Sequence, residues 1–290
     1  MTDSLRPRRS ALYMPASNPR AMAKARAIAA DVIVLDLEDS VAPDLKQEAR
    51  AAALAEIAAG GFGQREVVIR TNGPDTEWGM ADLAAAAKSG ADAVLVPKVS
   101  TIEDIARAHA ALAAAPDHLQ LWTMIETCGA VLRLDALGAM ADNTRLSLWV
   151  MGVNDLAKEM RAQLTADRAP FLPFLGSAVA AARCHGLGIL DGVCNEFRDL
   201  AVFETEARQG LLYGFDGKTL IHPDQVDSCN AVFTPSEEET ARARRVIAAF
   251  DAPEAQGKGA IQLDGKMVEL LHRDQALRLV AVAERIAAGA

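Results

Sequence analysis

The sequence predicts an α/β chain folded as a parallel (β/α)8, or TIM, barrel with a small C-terminal extension. Three observations lead there. Short runs of β-branched and aliphatic residues alternate with Ala-rich helical segments eight times between Ala11 and Ile221. Runs such as Val32-Ile-Val-Leu are apolar throughout, as strands buried on both faces are. Eight such units within 290 residues favour closure of the sheet over an open, doubly wound one, with right-handed crossovers joining the strands.

In chain order, 11–15 reads as the first strand, and Ser17, Asn18 and Pro19 cap and start a helix running to about residue 30. The second strand, from Val32, ends in Asp36, Glu38 and Asp39. Pro43 and Asp44 open a helix over 45–59, which Gly60 and Gly61 close. A strand over 66–72, a helix over 77–89 ended by Gly90, and a strand over 93–98 follow. The next helix starts after Thr101, with Asp104 in its first turn, where a negative charge meets the helix dipole. Then come a strand over 119–127, a helix over 129–140, a strand over 146–153, a helix over 171–185, a strand over 188–193, a helix over 199–210 and a last strand over 214–221. Residues 1–234 are thus expected to form the barrel. Residues 235–290 read as a capped helix over 235–250, with Ser236 and Glu239 in capping-box spacing, a strand-turn-strand around Asp264 and Gly265, and a helix over 274–288. This extension is too small to bury a core alone and is expected to pack on a barrel, its own or a neighbour's.

Composition narrows the partners. A net charge of −9 and a pI near 5.1 argue against nucleic acid or an anionic membrane surface, either of which would want a basic face. No apolar run suits a signal peptide or a membrane span, which gives the expectation of a cytoplasmic protein. Cys128, Cys184, Cys194 and Cys229 form no short-spaced pair, so neither a zinc knuckle nor a redox motif is indicated. The cluster Gly60, Gly61, Gly63 lies between a helix and a strand, the wrong order for a phosphate loop.

A parallel barrel places its active site at the C-terminal ends of the strands. The strand-end residues are Asp36, Glu38 and Asp39; Arg70 and Asn72; Lys98; Glu126; Asn154 and Asp155; Asp191; and Lys218 with His222. Glu126 and Asp155 end consecutive expected strands, and two oxygen donors leave octahedral positions open for water and a chelating substrate, which suits Mg²⁺. A structural network with Arg70 and Lys98 would account for the same carboxylates. Arg70 can meet an anionic substrate in two parallel hydrogen bonds. His222, before Pro223, reads first as a packing residue.

The motifs Arg-Ser-Ala-Leu-Tyr-Met-Pro from Arg9, Asp-Leu-Glu-Asp-Ser-Val from Asp36, Arg-Thr-Asn from Arg70 and Val-Pro-Lys to Lys98 continue with Ile-Glu-Thr around Glu126. Gly-Val-Asn-Asp to Asp155, Gly-Phe-Asp-Gly-Lys to Lys218 and Ile-His-Pro at His222 complete the set. Together they resemble the CitE-like members of the HpcH/HpaI aldolase family: citrate lyase beta subunits, malyl-CoA and citramalyl-CoA lyases, and malyl-CoA thioesterases. The resemblance implies an enzyme using Mg²⁺, with Mn²⁺ as a substitute, on β-hydroxyacyl thioesters of coenzyme A. It implies Glu126 and Asp155 as metal ligands and Arg70 as the residue that holds the keto acid. Glu38 and Asp39 would hold metal-bound water, Lys24 would lie near the CoA phosphates, and Lys98 and Asn72 would contact substrate. The tail resembles a lid that covers a neighbouring subunit's site in a homotrimer or homohexamer. Here the lid reads Met267-Val268-Glu269 where the family usually carries an aspartate, so Glu269 stands in the place of the catalytic acid/base.

Retro-Claisen cleavage of a malyl-, citramalyl- or citryl-CoA ester to acetyl-CoA, or another acyl-CoA, and a 2-keto acid is the leading expectation. Hydrolysis of a malyl-CoA thioester by the same site is the alternative, and a subunit active only within a citrate lyase-like complex is a third.

Overall fold

The computed structural model describes residues 5–289. Eight parallel strands close a barrel in sequence order, β1 (Ser10–Pro15), β2 (Val32–Asp36), β3 (Glu66–Arg70), β4 (Ala93–Val96), β5 (Gln120–Ile125), β6 (Leu146–Met151), β7 (Gly188–Asp191) and β8 (Gly217–Leu220), with β8 pairing back onto β1. Around them lie α1 (Pro19–Ala25), α2 (Lys46–Ala59), α3 (Gly79–Ala86), α4 (Ile102–Ala111), α5 (Cys128–Val131), α6 (Leu134–Ala139), α7 (Val153–Met160), α8 (Leu172–Cys184), α9 (Leu200–Tyr213) and α10 (Gln225–Phe233).

The two-residue period of the strands sorts their side chains into two cores. Val32, Val34, Val68, Leu95, Trp122, Met124, Leu148, Val150 and Leu190 fill the barrel, with Tyr13 against them. Their neighbours, such as Leu12, Ile33, Leu35, Ile69, Val94 and Trp149, face outward onto the helices. Both sets are buried, which is why the strands read as unbroken apolar runs. At the N-terminal end Arg8 forms an ion pair with the fully buried Glu66 and lies 5.3 Å from the centre of the Trp122 ring. The opposite end is left to the strand-end residues.

Four expectations shift. The first helix stops at Ala25 and the chain goes on in tighter turns to Ile28, while the Arg26 side chain donates to Gly60 O at 2.7 Å and lies over Phe62. The segment 129–140 breaks into α5 and α6 at Arg133. β6 ends at Met151 and Val153 opens α7, so Asp155 stands in the first turn of a helix rather than on a strand. The helix closing the eighth unit is α10, over a stretch where the sequence predicts no helix.

Residues 5–7 and 234–289 group as a second compact unit. It holds α11 (Glu237–Asp251), an antiparallel hairpin of β9 (Ala260–Leu263) and β10 (Lys266–Glu269), and α12 (Leu270–Ala287). The capping box at Ser236 forms as expected, and Asp264 and Gly265, both at positive φ, make the two-residue turn that suits a hairpin's twist. Ala243, Val246, Phe250, Val268 and Ala276 make its small core, while Met267, Leu270 and Leu271 are exposed. The last helix begins at Leu270, a turn earlier than expected, because Glu269 and His272 cap it reciprocally.

Candidate active site

The mouth is organised by Arg70, at the end of β3. In register beside it on β2 stands Asp36, whose two carboxylate oxygens take Nε and Nη2 of Arg70 at 2.7 Å each. Asp36 also accepts from the backbone N–H of Glu38 and from Ser40, so the chain leaving β2 is folded around it. The guanidinium sits 4.6 Å from the centre of the Tyr13 ring. Asp36 is therefore the anchor of Arg70, a role the sequence left open. The Nε–Nη2 edge of the guanidinium is spent on it. Nη1 remains, 3.0 Å from Glu38 and 3.4 Å from Asp39.

Glu126 leaves the end of β5 fully buried. Its Oε1 accepts the backbone N–H of Lys98 at 2.7 Å, whereas its Oε2 is buried with no hydrogen-bond donor. Gly152, after β6, makes the space: a Cβ there would stand 2.5 Å from Oε2. Short α7 then projects Asp155 over the mouth, its side chain about one-third exposed. The Lys98 ammonium reaches Asp155 at 2.6 Å, Glu126 at 3.4 Å and Glu38 at 3.9 Å.

This crowding of carboxylates appears in their proton affinities. Burial pushes Glu126 up to about 7 against the pull of Lys98, with Asp155 adding to the rise. Burial likewise pushes Glu38 up to about 8, opposed by Arg70 and aided by Glu126 and Asp39. Asp36 goes the other way, because Arg70 outweighs its burial. Burial raises the Tyr13 phenol, whose hydroxyl has no hydrogen-bond partner.

A cavity of about 350 Å³ opens between these groups, lined among others by Tyr13, Asp39, Arg70, Glu126, Asn154 and Asp155. A divalent cation fits the donor set: a buried oxygen without a hydrogen bond on Glu126, a half-open carboxylate on Asp155, and an excess of negative charge beside both. A loop from β7 borders the same rim, where Asn195 and Asn154 exchange two amide hydrogen bonds and Phe197 stacks on His222 at 5.1 Å.

Other expected site residues lie elsewhere. Asn72 donates from its backbone and its amide to Asp82, the carboxylate that also holds Arg50, and so ties the β3 end to α3. Lys24 is exposed on the last turn of α1 and does not line the cavity. Asp191 and Lys218 point away from the mouth into a buried network with Arg168 and Glu206. The side chain of Glu269, in the second unit, accepts from the backbone N–H of His272. Tyr13 and Gly152 were missed. Tyr13 gave a signal, as the single phenol within an apolar strand run; Gly152 gave none beyond opening the Gly-Val-Asn-Asp motif.

The HpcH/HpaI aldolase/citrate lyase family model matches residues 9–223. A (3S)-malyl-CoA thioesterase of Cereibacter sphaeroides is 47% identical over 288 residues, covering 99% of this chain and 99% of that protein. An L-malyl-CoA/beta-methylmalyl-CoA lyase of the same species is 34% identical over 309 residues, covering 98% and 96%. Among solved structures, the protein CitE of Mycobacterium tuberculosis in complex with magnesium, acetoacetate and coenzyme A superposes with a TM-score of 0.78 at 28% identity, covering 95% of this chain and 97% of that one. With its barrel, its strand-end carboxylates and its buried arginine all within the matched span, the chain belongs to the HpcH/HpaI aldolase/citrate lyase family.

Proposed function

We propose that the protein hydrolyses the thioester of a malyl-CoA-type β-hydroxyacyl-CoA, releasing the hydroxy acid and free CoA. The observation that carries this reading is the 47% identity over 99% of both chains to named thioesterases, against 34% for named lyases. It reverses the order in which the sequence alone ranks the two reactions.

Glu126 and Asp155 would hold Mg²⁺, in keeping with the magnesium in the M. tuberculosis complex. When bound, the ion supplies Lewis-acid polarisation to oxygens of the acyl group. Arg70, held rigid by Asp36 and Tyr13, directs Nη1 at the negative charge of the substrate. A carboxylate takes the proton from water as its oxygen adds to the thioester carbonyl; the C–S bond then breaks and the sulfur leaves with a proton. Glu38, Asp39 and, from a neighbouring copy, Glu269 are the carboxylates assigned to this proton traffic. The exposed Met267, Leu270 and Leu271 support a homo-oligomer, trimer or hexamer, in which the second unit covers another copy's site. Lys24 would then serve the CoA phosphates from the barrel's outer side.

The lyase reading keeps support from the relatives at 34% identity, since one metal pair and one arginine suit both reactions. Incubation with (3S)-malyl-CoA and Mg²⁺ separates them. Malate and CoA, with no glyoxylate, are expected; stoichiometric glyoxylate and acetyl-CoA would overturn the hydrolytic reading in favour of cleavage.

A further inference from the structure

Lys98 is one of four non-glycine residues at positive φ among the described residues, at 59°, and it follows Pro97 directly after β4. Left-handed backbone costs a β-carbon-bearing residue free energy, and where it persists at a site it aims something. Here it aims two donors of one residue at one acceptor. The backbone N–H lies 2.7 Å and the ammonium 3.4 Å from the same atom, Glu126 Oε1. The ammonium then continues to Asp155 Oδ2 at 2.6 Å, bridging the two carboxylates. Both contacts from Lys98 to Glu126 go to Oε1. Oε2 is left buried, without a hydrogen bond, in the space that Gly152 opens.

We infer that Lys98 is the positioning residue of the metal pair: it grips Glu126 Oε1 and Asp155 Oδ2 so that Glu126 Oε2 is presented to the cation. The inference rests on the Mg²⁺ reading proposed above. Outer partners that orient ligand carboxylates are worth about tenfold to a hundredfold in metal affinity. A lysine that merely neutralised charge would act with the opposite sign. Removing a cation from beside two carboxylates would, by Coulomb attraction alone, tighten the binding of another cation.

That opposition of sign makes a binding measurement decisive. Free Mn²⁺ is followed by electron paramagnetic resonance as the protein is titrated, in wild type, Lys98→Met, Lys98→Arg and Glu126→Ala. Lys98→Met is expected to weaken Mn²⁺ by about tenfold or more, and Lys98→Arg to recover most of that loss. Lys98→Gly keeps the left-handed backbone and the N–H while losing the ammonium, so it reads the ammonium's share alone if the Met variant does not fold. Unchanged or tighter binding by Lys98→Met, or by Lys98→Gly in its place, would overturn the positioning role while leaving the metal site standing. Wild type that binds no Mn²⁺, or Glu126→Ala that binds it as well as wild type, would overturn the metal reading and this inference with it.

Discussion

Behind the ends of β7 and β8, Lys218, Asp191, Arg168 and Glu206 form a charge cluster more deeply buried than the one in the mouth, where Asp39, Lys98 and Asp155 are partly exposed. Lys218 and Asp191 are 0% exposed, the ammonium donates to Asp191, to Glu206 and to Gly192 O, and Arg168 takes both oxygens of Asp191. Two cations face two carboxylates, and every Lys218 contact has a partner. In the mouth, two cations stand within ion-pair distance of five carboxylates, Asp36, Glu38, Asp39, Glu126 and Asp155. Burial plays out differently in the two clusters. Asp191 is held below the ordinary carboxylate range because Lys218 and Arg168 outweigh its burial, whereas Glu126 and Glu38 are pushed up to about 7 and about 8. A balanced buried cluster completes itself, and an unbalanced one waits for a cation.

The sharpest way to break that contrast is to remove the carboxylates on each side. Glu126→Ala or Asp155→Ala should lower Mg²⁺-dependent turnover by about a thousandfold, with the thermal transition of the metal-free protein kept within a few degrees. Steady-state rates with and without chelator, beside circular dichroism, check it. Turnover unchanged in either variant refutes the metal assignment. In the balanced cluster the effect should fall on the fold instead. Lys218→Met strands Asp191 without its ammonium partner, and the loss of one member of a buried pair costs about 3–5 kcal/mol. Denaturant unfolding should show that loss. Equal stability of the variant would mean that Asp191 finds enough compensation in Arg168 alone.

The same two clusters mark how far the sequence could be read. Both announced themselves identically, as polar residues ending strand runs, and nothing in the residues of 188–193 or 214–221 says which face each one takes. Register decides it: Leu190 faces the barrel, so Asp191 faces α9, where Gly210 makes room for its carboxylate. The barrel itself was legible, because closure follows from counting repeats of a buried pattern, which needs no knowledge of side-chain direction. Glu126 and Arg70 carry the same strand-end signal as Asp191, and it is the structure that turns them into the mouth and Asp191 out of it. Asp155 was legible as a residue but not as a position, because α7 begins where the apolar run of β6 still reads as strand. The anchoring of Arg70 by Asp36, the space given by Gly152 and the phenol of Tyr13 belong to contacts between strands far apart in sequence. Asn72 shows the converse error, a polar strand end that proves to be a brace for α3.

The smallest predicted effect tests the imbalance without any mutation. In the metal-free protein Glu38 and Glu126 take up protons as pH falls through about 8 and about 7, well before the same groups do in the unfolded chain, near their ordinary 4.5. Between those limits the folded state binds more protons than the unfolded one, so stability falls as pH rises. Without metal, the unfolding free energy should therefore be higher at pH 6 than at pH 8, by on the order of 1 kcal/mol per unit at its steepest. The balanced cluster adds nothing in this window. Its depressed Asp191 contributes stability that is lost only as pH falls below the ordinary carboxylate range. Saturating Mg²⁺ should flatten or reverse the slope, because the ion binds the ionised carboxylates and competes with the protons. Urea unfolding at pH 6, 7 and 8, with Mg²⁺ and with chelator, measures it directly, and Glu126→Gln should remove part of the slope in chelator. A metal-free protein whose stability rises from pH 6 to pH 8 would show that the mouth carries its charge without strain, and the distinction between the two clusters would fail.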